Sequence, residues 1–179
     1  MSLMHIKERC LRKCYVDRSP MLIQKMNGMP PHSRPLSLNM NGLFAAKKLN
    51  PGTVVAILSH GAVKKTRNDR TVCIGKEQYQ QYECPQRRVA RIHALQQSQQ
   101  SSAAQTRLLT ELAYAGAVAN EADSQDMLNA VIVTLPANPS KRARRHPCTV
   151  LITAEEVPAQ GEILVDYGDD KDEPWQHRH

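Results

Sequence analysis

Aromatic residues are scarce in this chain: phenylalanine, tryptophan and tyrosine together make 4% of 179 residues, and Phe44 and Trp175 are the sole members of their types. A core must therefore pack on Val, Leu, Ile and Ala, and no platform of interleaved aromatics is on offer for stacking bases. Glycine is thinly spread as well. Its eight copies stand at 28, 42, 52, 61, 75, 116, 161 and 168, and the closest two are seven positions apart. A phosphate-cradling loop needs several glycines within a few residues so that backbone can approach the anion. Standard dinucleotide-binding folds, P-loop enzymes and Rossmann-type methyltransferases with a glycine-rich first loop are thereby excluded. The G-x-S-x-G elbow and the H-E-x-x-H helix are also missing, which removes the common hydrolase readings.

Long apolar runs are absent too. Stretches such as Gly52 to Leu58 and Asn129 to Leu135 fall far short of the roughly 20 residues that span a bilayer, so no membrane anchor is expected. The opening MSLMHIKERCLRKCYVDR has neither the apolar stretch nor the small-residue cleavage site of a secretory signal, and an intracellular location is expected. Five cysteines, Cys10, Cys14, Cys73, Cys84 and Cys148, are an odd and scattered set that fits reduced thiols better than a disulfide framework. Cys10 and Cys14 form a C-x3-C pair, but no second pair or His pair completes a zinc site, so no structural metal is expected.

What is present fits one domain of 20.1 kDa with loose ends. Lysine and arginine number 24 against 17 acids, a net charge of +7, which suits either an acidic or polyanionic partner or a solvated basic surface. Residues 1–38 mix basic residues with turn material between Pro20 and Pro35 and read as a basic tail or arm. The folded domain is expected over 39–170, with an insertion at about 75–119 and a C-terminal tail over 171–179. LFAAKKLNPGTVVAILSHG reads as strand, Asn50-Pro51-Gly52 turn, and second strand Thr53 to Leu58, a hairpin-like opening. Thr71 to Ile74 is a candidate third strand. From about Glu77 to Ala119 the character becomes helical, with Leu108, Leu109, Leu112 and Ala113 at helical spacing behind a flexible QQSQQSSAAQ run. NAVIVTL and CTVLITA are β-rich runs joined by the solvated loop PANPSKRARRHP, and a last strand covers Glu162 to Tyr167. The expected fold class is mainly β, with an α+β tendency from one helical insertion.

Three segments carry a more specific pattern. Gly42-Leu43-Phe44-Ala45-Ala46 is followed by Asn50-Pro51-Gly52-Thr53-Val54-Val55; GAVANEADSQDMLNAVIV contains Asn120 and Asn129-Ala130; and ITAEEVPAQGEILVDYGDD ends in Asp166-Tyr167-Gly168. In order and spacing these resemble the SET domain, the fold of many protein-lysine methyltransferases. The resemblance implies small curved sheets around a knot-like crossing of the C-terminal strand, S-adenosylmethionine as cofactor, and a histone tail or another basic protein as substrate. It does not extend to 75–115. Glu121 stands where most family members have histidine and Ala122 where they have serine, although relatives of the PR type also carry an N-E pair. The family's cysteine-bearing zinc segment at the C-terminal end has no counterpart.

The resemblance also implies residue roles. A lysine amine has a reference pKa of about 10.4, so it must shed its proton and be aligned behind the methyl carbon, which a narrow apolar channel achieves. Tyr167 matches the tyrosine whose hydroxyl directs the amine. Tyr114 is the first candidate for a second channel wall, ahead of Tyr79 and Tyr82, since ring faces exclude water and attract methylammonium. Asn120, with Glu121 beside it, matches the cofactor-holding asparagine. Asn41, Gly42 and Leu43 would offer backbone groups to the cofactor's methionine end, and Trp175 would cover its adenine.

Two other readings follow from the same residues. Glu121, Ala122 and the shortage of aromatics suit a catalytically degraded SET-like interaction module. Lys141, Arg142, Arg144, Arg145 and His146 suit a nuclear or chromatin address, a phosphate-contacting loop in a nucleic-acid-binding protein, or a solvated hairpin tip. Asp166, Asp169, Asp170, Asp172 and Glu173 form an acidic C-terminal group that would attract a basic peptide.

Overall fold

The computed structural model describes residues 2–30, 40–68, 70–98, 101–137 and 146–167. Its centre is the long strand β3 (Val54–Lys64), flanked on one side by β5 (Gln78–Tyr82) and on the other by β8 (Cys148–Thr153), both antiparallel. β4 (Thr71–Gly75) extends the sheet beyond β5, and β7 (Ala130–Leu135) extends it beyond β8. The first half of β3 and the whole of β8 are apolar or β-branched on both faces because the sheet is covered on both sides there. Ala56, Leu151 and Ile132 lie opposite one another in register and face the main core, while Ile57, Val150 and Val133 do the same one residue on and face a second cluster with Ile6 and Cys10. The expected pairing of NAVIVTL with CTVLITA is thus found, and the chain is mainly β with a helical insertion.

The basic arm expected over residues 1–38 is corrected over its described part, because residues 2–30 are folded. Ser2 caps α1 (Leu3–Cys10), accepting a hydrogen bond from the His5 amide at 3.2 Å. Ile6 and Cys10, four positions apart and both buried, pin that helix to the second cluster. β1 (Cys14–Arg18) then sends Cys14 and Val16 into the main core. α2 (Pro20–Gly28) begins with a Ser-Pro pair in which Ser19 caps the helix and Pro20 supplies the preset φ of its first turn. With two buried anchors in α1 and none in α2, and with short elements, the segment is too brief for its period to stand out from a polar tail.

The expected opening hairpin is also corrected. β2 (Asn41–Ala45) pairs antiparallel with β1, not with β3, and Tyr15 stacks on Phe44 at 5.6 Å between ring centroids. The Asn50-Pro51-Gly52 turn is real, with Gly52 at φ 79°, but it turns the chain from one sheet into the other. Residues 78–82, expected within the helical insertion, form β5, so the helical part is α3 (Pro85–Gln97), α4 (Ser102–Ala113) and a 3-10 turn over Ala115–Val118. Arg88 and Arg91 of α3 each bridge Glu83 and Glu111, which locks the two helices together and to the end of β5.

The C-terminal stretch makes the crossing that positions the site. Residues 160–163 run along β2, with the Ala45 amide donating to Gly161 O at 2.9 Å and the Ile163 amide to Leu43 O at 2.7 Å. β9 (Leu164–Val165) then enters between β6 (Asn120–Glu121) and β7, parallel to both. The strand expected over Glu162 to Tyr167 is thus shorter as a strand, while most of its length is held by these separate pairings. The run 141–145 lies outside the described residues. Among the described residues no helix is long and apolar enough to cross a membrane.

Candidate functional site

β6 and β9 run side by side with Asn120 opposite Leu164 and Glu121 opposite Val165. This register brings the N-E pair and the D-Y segment, more than forty residues apart in sequence, to one edge of the sheet. Tyr167 sends its hydroxyl back to the Ala119 carbonyl, one residue before Asn120, in a short hydrogen bond in which the phenol donates. The residue as a whole is 39% exposed, so the ring meets solvent at one side while the hydroxyl end is enclosed. Burial of that end, with Tyr82 and then Glu121 close by, pushes the phenol well above its ordinary pKa. The group is therefore neutral at any physiological pH.

Asn120 sits in a polar knot. Its Nδ2 donates to Glu162 Oε1 at 2.7 Å and to the Asn41 carbonyl at 3.3 Å. The other carboxylate oxygen of Glu162 accepts from the Ser19 hydroxyl at 3.0 Å, and Ser19 is fully buried. Gly42 passes directly over this group: a Cβ there would stand 2.3 Å from Glu162 Oε1 and 3.0 Å from Asn120 Nδ2. Only a residue without a side chain leaves the knot its space. Asn129 fastens the neighbouring backbone, its amide donating to Glu162 O at 2.8 Å and accepting from Leu164 N at 3.0 Å. The side chain thus takes the place of a strand partner for the crossing segment.

Of the residues named from sequence, Asn41, Gly42, Asn120, Glu121 and Tyr167 come together here. Leu43 adjoins them in β2 with a fully buried side chain in the main core. Tyr114 is placed elsewhere, with its ring under the Arg88 guanidinium at 5.6 Å and its contacts in the second cluster. The tyrosine near enough to Tyr167 to raise its phenol is Tyr82, at the end of β5. Trp175 and the acidic residues from 169 onward lie outside the described residues. Sequence reasoning missed Ser19 and the carboxylate role of Glu162. The Ser-Pro helix start was a readable signal for the first, whereas nothing local in sequence announces where the Glu162 side chain points.

Glu121, next to Asn120 in β6, has anionic surroundings. Burial, then Asp166 and Asp123, raise its carboxyl above the ordinary range, and Lys25, itself 2.8 Å from Asp123, offsets this only in part. A carboxyl raised in the folded state binds its proton more tightly there than in the unfolded chain. Stability therefore falls as pH climbs from the ordinary glutamate value through the raised one. Glu121→Gln is expected to raise the melting temperature at neutral pH by roughly 1–3 °C, with the gain vanishing in acid. Melting curves that coincide with the parent's at every pH refute that account.

No family model and no curated protein matches this sequence. Among solved structures, a Plasmodium falciparum protein provisionally assigned as a histone methyltransferase is similar at 12% identity, over 88% of this chain and 94% of that one, with a TM-score of 0.47. The SET domain of the RIZ1 tumour suppressor is similar at 14% identity, over 97% of this chain and 82% of that one, with a TM-score of 0.42. What the site does is read from its own residues.

Proposed function

We propose that this chain is a protein-lysine N-methyltransferase that uses S-adenosylmethionine and acts on a histone tail or another basic protein. The observation that carries the reading is the Tyr167 hydroxyl held on the Ala119 carbonyl beside Asn120, because it brings the tyrosine that would direct the amine next to the asparagine that would hold the cofactor. The residues present fit such a cofactor. Its amino-acid end carries an ammonium and a carboxylate; the Asn120 amide oxygen suits the first, and backbone at Asn41 and Gly42 lies within the same knot for the second. S-adenosylmethionine, when bound, supplies a methyl group on a positive sulfonium that a lysine amine displaces.

The chain's own part in that reaction is orientation and exclusion of water. With its own O–H directed to Ala119, the Tyr167 phenol oxygen would act in the reaction as acceptor for an amine N–H, which would aim the nitrogen lone pair away from the ring and toward the methyl carbon. The raised phenol pKa removes Tyr167 as a base at neutral pH, so the amine must arrive neutral or lose its proton to water. Tyr82 would form the facing wall of the channel. Glu121, Asp123 and Asp166 would attract a basic segment to its mouth.

Calorimetric titration with S-adenosylmethionine and transfer of labelled methyl to histones test this directly. Saturable binding with incorporation into lysine is expected. Binding without transfer favours the interaction module that Glu121, Ala122 and the few aromatics suggest, and neither binding nor transfer overturns the cofactor assignment. Nuclear placement and nucleic-acid contact through 141–146 stay with the sequence, since 141–145 fall outside the described residues.

A further inference from the structure

Asn120 carries two chemically different ends, and the knot leaves no freedom over which faces inward. Both groups that meet its inner atom, the Glu162 carboxylate and the Asn41 carbonyl, are acceptors only. An amide oxygen in that place would face two oxygens across hydrogen-bond distance. The NH2 end is therefore fixed inward by chemistry, not by a choice of assignment, and Oδ1 turns outward, where it takes no hydrogen bond among the described residues. Glu162 is held in turn by Ser19, whose hydroxyl also accepts from the Leu22 amide at 3.2 Å and whose own amide donates to Met40 O at 2.8 Å. Gly42 closes the group from above.

We infer that Glu162 is a positioning residue: through a Ser19–Glu162–Asn120 relay it fixes the Asn120 amide with its oxygen outward, as an acceptor for the ammonium group of the methyl donor, and ties that acceptor to the start of α2. This rests on the function proposed above and extends it to residues that the motif does not single out for the purpose. Charge-assisted hydrogen bonds of this kind are about twice as strong as neutral ones, so one carboxylate suffices to hold an amide that would otherwise turn between two near-equivalent orientations. The relay also makes the seating of α2 a condition of donor binding. Its N-cap is the same hydroxyl that steadies Glu162.

Two measurements test the relay separately from the activity. In the ligand-free protein, the Asn120 side-chain NH2 signals, assigned by their loss in Asn120→Ala, should exchange slowly with water and speed up about tenfold or more in Glu162→Ala, while Glu162→Gln, whose amide oxygen still accepts, keeps most of the protection. Equal exchange in the parent and Glu162→Ala overturns the inference whatever the protein binds. S-adenosylhomocysteine affinity, titrated calorimetrically on the folded variants, should fall about tenfold to a hundredfold in Glu162→Ala and recover to within about fivefold of the parent in Glu162→Gln. A merely structural Glu162 would lower the melting temperature of Glu162→Ala and leave that affinity unchanged. If the parent binds no S-adenosylhomocysteine, the functional reading and the ammonium end of the relay fall together, and the exchange measurement still decides the orientation.

Discussion

On the proposed function, replacing Tyr167 with phenylalanine is expected to lower methyl transfer to a histone peptide by about a hundredfold and to leave S-adenosylhomocysteine affinity within about threefold of the parent. The two effects should separate because the Tyr167 hydroxyl and the Asn120 amide are neighbours to which the proposal gives different jobs. Phenylalanine keeps the ring and its place beside Tyr82, and removes the oxygen that would accept an amine N–H. It also strips the Ala119 carbonyl of its donor, which costs about 1 kcal/mol of stability. That is too little to unfold a domain of this size at room temperature.

The pH profile sharpens this expectation. With the phenol pushed far up by burial, Tyr167 contributes no titration between pH 6 and about 10. The rate should climb with pH as the substrate amine loses its proton, with the same shape in the parent and in Tyr167→Phe. A limb that disappears in the variant would mean that Tyr167 itself exchanges a proton in the reaction. Product analysis adds a further readout: without the hydroxyl, space opens beside the amine, and a shift toward more highly methylated lysine is expected. Kinetics and products that match the parent's remove Tyr167 from the channel altogether.

How far the sequence reaches depends on how local each signal is. The pairing of β7 with β8 is legible because both strands are apolar on both faces and the loop between them is bounded by prolines. The pairing of β1 with β2 is not: Cys14 and Val16 alternate over only five residues, and their partner lies beyond α2 and the run 31–39. A Pro-Gly turn after residues 43–49 therefore mimics a hairpin that tertiary pairing overrides. Site residues divide the same way. Tyr167 and Asn120 stand in motifs whose order can be read along the chain, whereas Tyr82 gains its position from the register of β5 against β3. Tyr114 was the more attractive wall because it follows a helix, yet the Arg88 guanidinium and the second core cluster claim its ring.

Gly116→Ala tests the link between packing and site, and its expected cost is about 3 kcal/mol, a fall of roughly 6–12 °C in melting temperature. Gly116 lies in the 3-10 turn Ala115–Val118, pressed on β3 so closely that an added Cβ would stand 2.7 Å from both Cα and N of Leu58 and 2.8 Å from the Ile57 carbonyl carbon. All three atoms belong to the backbone of a strand hydrogen-bonded on both sides, so none can swing away as a side chain would. The turn must lift instead. Directly after it comes Ala119, whose carbonyl holds Tyr167, and then Asn120, so a lifted turn shifts both ends of the proposed site together. Gly116→Ala should therefore weaken S-adenosylhomocysteine binding by about tenfold or more in addition to its effect on stability. Gly28→Ala, at the end of α2 with nothing within 4 Å of an added Cβ, serves as the control and should stay within about 0.5 kcal/mol of the parent. A Gly116→Ala protein that melts with the parent would mean that the turn and β3 are not in the close contact on which the placement of Asn120 depends.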